Sequence, residues 1–599
     1  MAPGLASTAA LLLAAILGSL CLVALSEDVS FRDASISMLA RAEELENLRF
    51  VRRAQDAPLV SRYNYIVIGG GTSGCPLAAT LSEHSRVLLL ERGGLPYRNM
   101  SNQQHFTDAL ADTSPASPAQ RFISEDGVVN ARARVLGGGS CLNAGFYTRA
   151  SNDYVRAAGW DARLVNSSYR WVERALVFRP DVPPWQAALR DALLEAGVTP
   201  DNGFTFDHVT GTKIGGTIFD SSGQRHTAAD FLRHARPGGL TVLLYATVSR
   251  ILFRQQEGAP YPVAYGVVFA DPLGVQHRVY LQDGGKNEVI LSAGTLGSPQ
   301  LLMLSGVGPQ AHLEAHGIQV LVDQPMVGQG VADNPMNSVF IPSPVPVALS
   351  LVQVVGITRS GSFIEGVSGS EFGIPVFDGA RRLARSFGLF SPQRTPQTGQ
   401  LGTLPPKQRT PEALQRAAEA MRRLDRRAFR GGFILEKILG PVSSGHIELR
   451  STDPRANPVV TFNYFQEKED LDRCVHGIET IERVIQSQAF ANFTYANASV
   501  ESIFTDSANF PVNLLPRHAN DSRTPEQYCR DTVMTIWHYH GGCQVGAVVD
   551  DDYRVFGVQR LRVIDSSTFK YSPGTNPQAT VMMLGRYMGV KIQAERWRK

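Results

Sequence analysis

The stretch Tyr65-Ile66-Val67-Ile68-Gly69-Gly70-Gly71-Thr72-Ser73-Gly74-Cys75-Pro76-Leu77-Ala78-Ala79-Thr80-Leu81 reads as an apolar strand that turns through glycines into a helix. Such a turn lets backbone come close to a pyrophosphate, and the helix start offers N–H donors and a partial positive charge to phosphate oxygens. The next apolar run, Arg86-Val87-Leu88-Leu89-Leu90, ends in Glu91, about twenty residues past the first glycine, where a carboxylate can take a ribose hydroxyl pair. Together they predict a dinucleotide site on a Rossmann-like α/β layer. A glycine-rich βα turn with no ligand is the bland alternative.

The 599 residues, 43% hydrophobic and 19% charged, can bury a large core and divide into two or more domains. A net charge of +3 over that length argues against a nucleic-acid partner, which needs a basic stripe. Function is therefore sought in a pocket. Leu5 to Leu25 carries no charge and ends Val23-Ala24-Leu25-Ser26 before Glu27-Asp28, so residues 1–26 read as a signal peptide cleaved after Ser26. The run is long and lacks an N-terminal Lys or Arg, which leaves an uncleaved membrane anchor as the alternative. After cleavage no stable membrane anchor is expected. Either way the body enters the secretory pathway, for the endoplasmic reticulum or the exterior. Glycosylation triplets at Asn99, Asn166, Asn492, Asn497 and Asn520 agree, although chance alone supplies some.

Beyond the leader stand Cys75, Cys141, Cys474, Cys529 and Cys543, an odd number in an oxidising compartment. Cys75 and Cys141 sit in glycine-rich segments committed to a cofactor, whereas Cys474 and Cys529 flank a region rich in loops and triplets, so Cys474–Cys529 is the expected disulfide. No cysteine pair has metal-ligand spacing, and no metal is expected. Glu27 to Ser61 reads as an N-terminal arm, a helix over Ile36 to Phe50 followed by a linker with Pro58. The first nucleotide unit runs from Tyr63 to about Gly94. Gly239 to Phe253, Pro262 to Phe269 and Glu288 to Ser292 have strand character and look like further pieces of the same layer, assembled from separated segments. Ser391 to Pro411, rich in Pro, Gln, Thr and Gly, and the basic helical Pro411 to Arg430 suit either a loop beside a pocket or a solvated insertion.

Two more glycine clusters follow. Arg134-Val135-Leu136-Gly137-Gly138-Gly139-Ser140-Cys141-Leu142-Asn143-Ala144-Gly145-Phe146-Tyr147 has no secondary-structure explanation and suggests backbone against something flat and large. The segment from Gly294 to Gly308 again follows a strand and opens a helix. These segments, the first glycine turn and Glu91 resemble the glucose-methanol-choline (GMC) family of flavin oxidoreductases, whose two signatures they match nearly position by position over about Tyr63 to Lys591. The resemblance implies FAD, a PHBH-like α+β substrate domain with an antiparallel sheet, and alcohol oxidation. The implied division is 62–336 mainly FAD-binding with substrate-domain insertions, 337–520 mainly substrate-binding, and 521–599 a returning FAD-domain segment with the catalytic residues.

By the same resemblance, Gly69, Gly71, Thr72, Ser73 and Gly74 would cradle the pyrophosphate, Glu91 and Arg92 would take the adenosine end, and Val248 would meet the adenine through its backbone. Val135, Gly138, Gly139, Asn143, Ala144, Gly145 and Phe146 would border the flavin, with Gly294, Trp537, Asp565, Ser566, Pro577 and Gln578. Some relatives tether FAD through a histidine. The aligned position here is Leu142, so FAD would be noncovalent.

Alcohol oxidation needs a base for the hydroxyl proton, and a neutral imidazole suits that near pH 7. Aligning Thr535-Ile536-Trp537-His538-Tyr539-His540-Gly541-Gly542-Cys543 with the family's His-x-x-Gly pattern makes His538 the base, and His540 fits less well. Asn576, before Pro577 and a helical run, reads as an N-cap and also as an amide holding the substrate oxygen. A helix starting there would direct its positive end at the flavin. Within the family the chain looks most like the plant HOTHEAD-type and mandelonitrile-lyase-like branch. That implies a plant source and a long-chain ω-hydroxy fatty acid as substrate, in building cuticle or the lipidic pollen wall. The mostly apolar Val345 to Val355 is candidate lining for its channel. A hydroxynitrile lyase is the alternative, weakened because those lyases carry a second histidine where this chain has Asn576. A non-catalytic secretory flavoprotein is a second alternative.

Overall fold

The computed structural model describes residues 50–96, 117–255, 257–369, 431–509, 524–574 and 576–598. The leader, nearly all of the expected 36–50 helix, Asn99, Asn520 and residues 391–430 lie outside them.

Six parallel strands form one sheet, called the nucleotide sheet after the dinucleotide site the sequence predicts on it, in the order Val51–Arg53, Leu240–Leu244, Val87–Leu90, Tyr65–Ile68, Glu288–Leu291 and Leu561–Val563. Successive residues of its central strands face opposite layers. Tyr65, Val67, Val87 and Leu89 join a core with the helices Gly74–Ser82 and Gln578–Trp597, while Ile66, Ile68, Leu88 and Leu90 join a second core. Burial on both faces explains why these strands read as continuous apolar runs. The second core also takes residues from a four-stranded sheet of Thr247–Arg254, Val263–Ala270, Gln276–Leu281 and Val60–Tyr63.

Two local expectations are corrected. Gly239 to Phe253 is not one strand: it breaks at Tyr245, whose φ is 59°, and the chain passes there from the parallel sheet to the antiparallel one. Residues 51–63, read as mostly linker, supply an edge strand to each of these sheets. In both cases sheet membership depends on distant strands, which local composition does not encode.

A second sheet, called the substrate sheet after the substrate domain the resemblance implies, has seven strands, in the order Met534–Thr535, Pro335–Pro342, Gly431–Ile438, Ser362–Gly369, Val354–Ile357, Gly211–Ile214 and Asp201–Phe204. All neighbours are antiparallel except the last pair. Ile434, Ile438 and Ile364 face the helices Pro184–Glu195 and Lys468–Gln486, where Trp185, Leu189, Ile478 and Ile481 complete a third core. The alternate residues of the same strands, Phe433, Leu435, Glu365 and Val367 among them, lie on the opposite face of the sheet. Cys474 and Cys529 form a disulfide with an S–S distance of 2.03 Å, and Cys75, Cys141 and Cys543 are buried thiols. Among the described residues no helix is long and apolar enough to cross a membrane.

Candidate active site

A cavity of about 370 Å³ opens where the parallel strands end and runs on to the substrate sheet. Every residue expected at the cofactor lines it except Gly74: Gly69, Gly71, Thr72, Ser73, Glu91, Arg92, Val135, Gly138, Gly139, Asn143, Ala144, Gly145, Phe146, Val248, Gly294, Trp537, Asp565, Ser566, Pro577 and Gln578. Gly74 packs the helix onto the turn instead. A Cβ there would lie 1.9 Å from the Gly69 carbonyl oxygen. Gly69 has φ 104°, and its Cβ would meet Ser292 O at 2.3 Å, so the turn tolerates no side chain at either place.

Glu91 braces this turn. Its carboxylate accepts from Gly70 N at 3.0 Å and Gly93 N at 2.7 Å, while burial pushes its pKa up. Carboxylate oxygens have two lone pairs each, so both can also accept from a ribose. Asp565 is held likewise by Gly294 N at 2.9 Å, Ser298 Oγ at 2.6 Å and Ser567 N at 2.8 Å, which ties the start of the helix Gly294–Leu304 to the C-terminal segment. The Asn143 turn is clamped to the last helix. Asn143 Nδ2 donates to Gln578 Oε1 at 2.8 Å, and Gln578 Nε2 donates to Phe146 O at 2.6 Å. Arg225 Nη1 donates to Asn143 Oδ1 at 2.9 Å, fixing the turn from behind.

His538 and Asn576 both line the cavity, whereas His540 does not. His540 is turned inward, with Nδ1 3.1 Å from His538 O, and its backbone pairs with Ala332. Burial, with Lys437 and His540 nearby, holds the His538 pKa well below the ordinary histidine value, so its ring is neutral at physiological pH. Asp333 anchors the segment: its carboxylate accepts from His538 N at 2.8 Å, Thr535 Oγ1 at 2.6 Å and Tyr464 OH at 2.7 Å. Trp537 between them takes φ 59°, a left-handed conformation that costs a bulky residue roughly 1–2 kcal/mol and is sustained by these bonds. The Asn334 amide lies 3.2 Å from His538 Nδ1 and 3.2 Å from Ser572 Oγ, which fixes the ring.

Asn576 is not an N-cap. The helix starts at Gln578 with Pro577 as its cap residue, and Asn576 Oδ1 accepts from Lys437 Nζ at 2.5 Å. Lys437, from a strand of the neighbouring sheet, takes the side-chain oxygen that a cap would offer to the helix.

Family models named GMC oxidoreductase match residues 63–336 and 441–585. The chain belongs to the GMC oxidoreductase family. Protein HOTHEAD of Arabidopsis thaliana is 51% identical over 90% of this chain and 89% of its own length. An (R)-mandelonitrile lyase-like protein of the same plant is 48% identical over 92% of this chain and 93% of its own. Among solved structures, a formate oxidase of Aspergillus oryzae studied for its FAD modification superposes with a TM-score of 0.68 at 18% identity, over 90% of this chain and 99% of that one.

This GMC protein is accordingly an FAD-dependent oxidoreductase of alcohols. Its cavity fits the cofactor. Ser73 Oγ and Trp537 Nε1 are buried on the lining without a partner among the described residues, two polar atoms a bound ligand can satisfy. A Cβ on Gly138 would lie 2.7 Å from Gly71 Cα, so the second glycine cluster is pressed against the first. The helix Gln578–Trp597 brings its N-terminus, with its partial positive charge, to the wall beside His538.

Sequence reasoning missed Asp333, Asn334, Glu365 and Lys437. Glu365 and Lys437 did carry a signal, since charged residues inside apolar strands are almost never fully buried unless paired. Asp333 and Asn334 lie beside the start of a strand, where polar residues are ordinary.

Proposed function

We propose that this GMC protein oxidises long-chain ω-hydroxy fatty acids with noncovalent FAD, within the secretory pathway. The observation that carries the substrate class is the apolar wall beside His538 and Asn576. Phe433 and Leu435 on one strand and Val367 on the next face the cavity together with Met336, Leu351 and Val352. From Lys437 to Phe433 that face extends about 13 Å at roughly 3.3 Å per residue, long enough to bed an alkyl chain. The leader, the triplets and the Cys474–Cys529 bridge support the secretory route. Leu142, which lines the cavity, offers no nucleophile for a covalent link.

Bound FAD supplies the hydride acceptor. His538 takes the hydroxyl proton, and its depressed pKa keeps the ring in the base form. Asn334 Nδ2, 3.2 Å from both His538 Nδ1 and Ser572 Oγ, holds the imidazole in place. Asn576 donates to the substrate oxygen.

Anaerobic mixing of the purified holoprotein with an ω-hydroxy fatty acid is the test, read as flavin absorbance. Bleaching in the wild type and not in His538→Ala supports the reading, and no bleaching across a range of alcohols overturns it. Release of benzaldehyde from mandelonitrile with the flavin still oxidised would assign the lyase activity instead.

A further inference from the structure

The side of the substrate sheet that faces the cavity is apolar along Phe433, Leu435 and Val367 and then changes character. Glu365 and Lys437 sit on the same face, on neighbouring strands, and both side chains are fully buried. Lys437 Nζ donates to Glu365 Oε2 at 3.1 Å and to Asn576 Oδ1 at 2.5 Å, and it lies 4.2 Å from the centre of the Phe363 ring. Burial lowers the Lys437 pKa while the Glu365 carboxylate opposes that shift, and the lysine's polar hydrogens are met by a carboxylate, an amide oxygen and an aromatic face. Such burial is costly unless each partner is present, and hydrophobic residues of similar volume would pack as well. A charge retained here calls for a use.

Lysine carries donors only. Its contact therefore assigns the carbonyl oxygen of Asn576 to Lys437 and makes the amide N–H₂ the end that can serve a substrate oxygen in the cavity. We propose that Lys437, balanced by Glu365, is a positioning residue that orients the Asn576 amide toward the substrate oxygen and sets the charge seen by His538. Lys437 is also one of the groups that hold the His538 pKa down. The opposed signs of Lys437 and Glu365 leave little net charge beside the apolar wall, so the pair orients polar atoms without attracting an ionic substrate to that end. A carboxylate at the other end of an ω-hydroxy acid would then lie toward Phe433. This inference rests on the proposed alcohol oxidation with His538 and Asn576.

The test uses the FAD-loaded protein and a pH series of anaerobic flavin reduction by a primary alcohol. Lys437→Met is expected to lower the limiting rate about 10–100-fold with a much smaller change in the half-saturating concentration. The acidic limb of the profile should move to higher pH, because removing a positive charge raises the pKa of a neutral base. Lys437→Arg should keep the acidic limb in place, since it keeps the charge. In a double-mutant cycle, Lys437→Met should add little in the Asn576→Ala background if it acts through that amide. Full additivity, or an unmoved acidic limb in a Lys437→Met protein that retains its flavin, overturns the proposal. If Lys437→Met sheds its flavin, the Lys437→Arg profile decides, and a limb displaced as far as that of Lys437→Gln overturns it. A wild type that bleaches with no alcohol refutes the oxidation itself and with it this inference, an outcome distinct from one in which only the variants fail to differ.

Discussion

The nucleotide sheet and the substrate sheet serve one cavity by different means. The first offers mainly backbone: turns at Gly69, Gly138 and Gly294, helix starts, and carboxylates that brace them. The second offers side chains, with Phe433, Leu435 and Val367 as an apolar wall and Glu365 and Lys437 as a buried ion pair. Backbone recognition suits a cofactor whose pyrophosphate is constant, because N–H groups at a helix start need no particular residue type beyond one small enough to let the ligand approach. Side-chain recognition suits a substrate, since a few substitutions on a rigid sheet change what fits.

The sharpest way to break that contrast is a side chain in the turn. Gly69→Ala should abolish FAD retention, seen as loss of flavin absorbance in the purified protein, because its Cβ meets Ser292 O at 2.3 Å in a left-handed backbone. A yellow Gly69→Ala protein with wild-type FAD affinity would refute the cradle. His538→Ala should keep the flavin and lose about 10²–10⁴-fold in the rate of anaerobic reduction, the usual share of a positioned base.

Asp333→Asn comes next, with a loss of about 10-fold in the same rate, since one oxygen must replace two in holding His538 N, Thr535 and Tyr464. It has a stability signature as well. Burial pushes the Asp333 carboxyl from 3.8 up to about 7, so the folded state binds its proton more tightly than the unfolded state. That contribution is present at acid pH and is lost as pH rises between those values. Thermal unfolding should show the wild type losing stability relative to Asp333→Asn across that window. A constant difference would mean that the carboxyl titrates normally. The smallest effect belongs to the wall: Val367→Thr should cut kcat/KM for a long-chain alcohol about 3–10-fold, near the worth of one buried methyl, and leave a short alcohol unchanged. Equal losses for both would place the alkyl chain elsewhere.

These two regions also differ in how far they could be read in advance. The strand–turn–helix at Tyr65 to Leu81, Glu91 at the end of the next strand and the helix after Gly294 stand where the residues predict them, because turn geometry and strand periodicity are local. Tyr245 defeated the strand reading, since a single left-handed residue redirects a chain that is apolar on both sides of it. Asn576 defeated the capping reading because its partner, Lys437, is 139 residues away. The choice between His538 and His540, made from a family pattern, has a physical counterpart in which ring lines the cavity.

By itself the sequence determined the strand–turn–helix at Gly69 to Gly74, the family and the order of its glycine clusters, because each depends on backbone conformations that only certain neighbouring residues permit. Only the tertiary structure decided which charges are buried together, which face of the substrate sheet meets the cavity and which end of the Asn576 amide is turned to Lys437. Those depend on strand register and on pairings across 72 and 139 residues, so a charge inside an apolar strand signals that a partner exists without saying which residue it is.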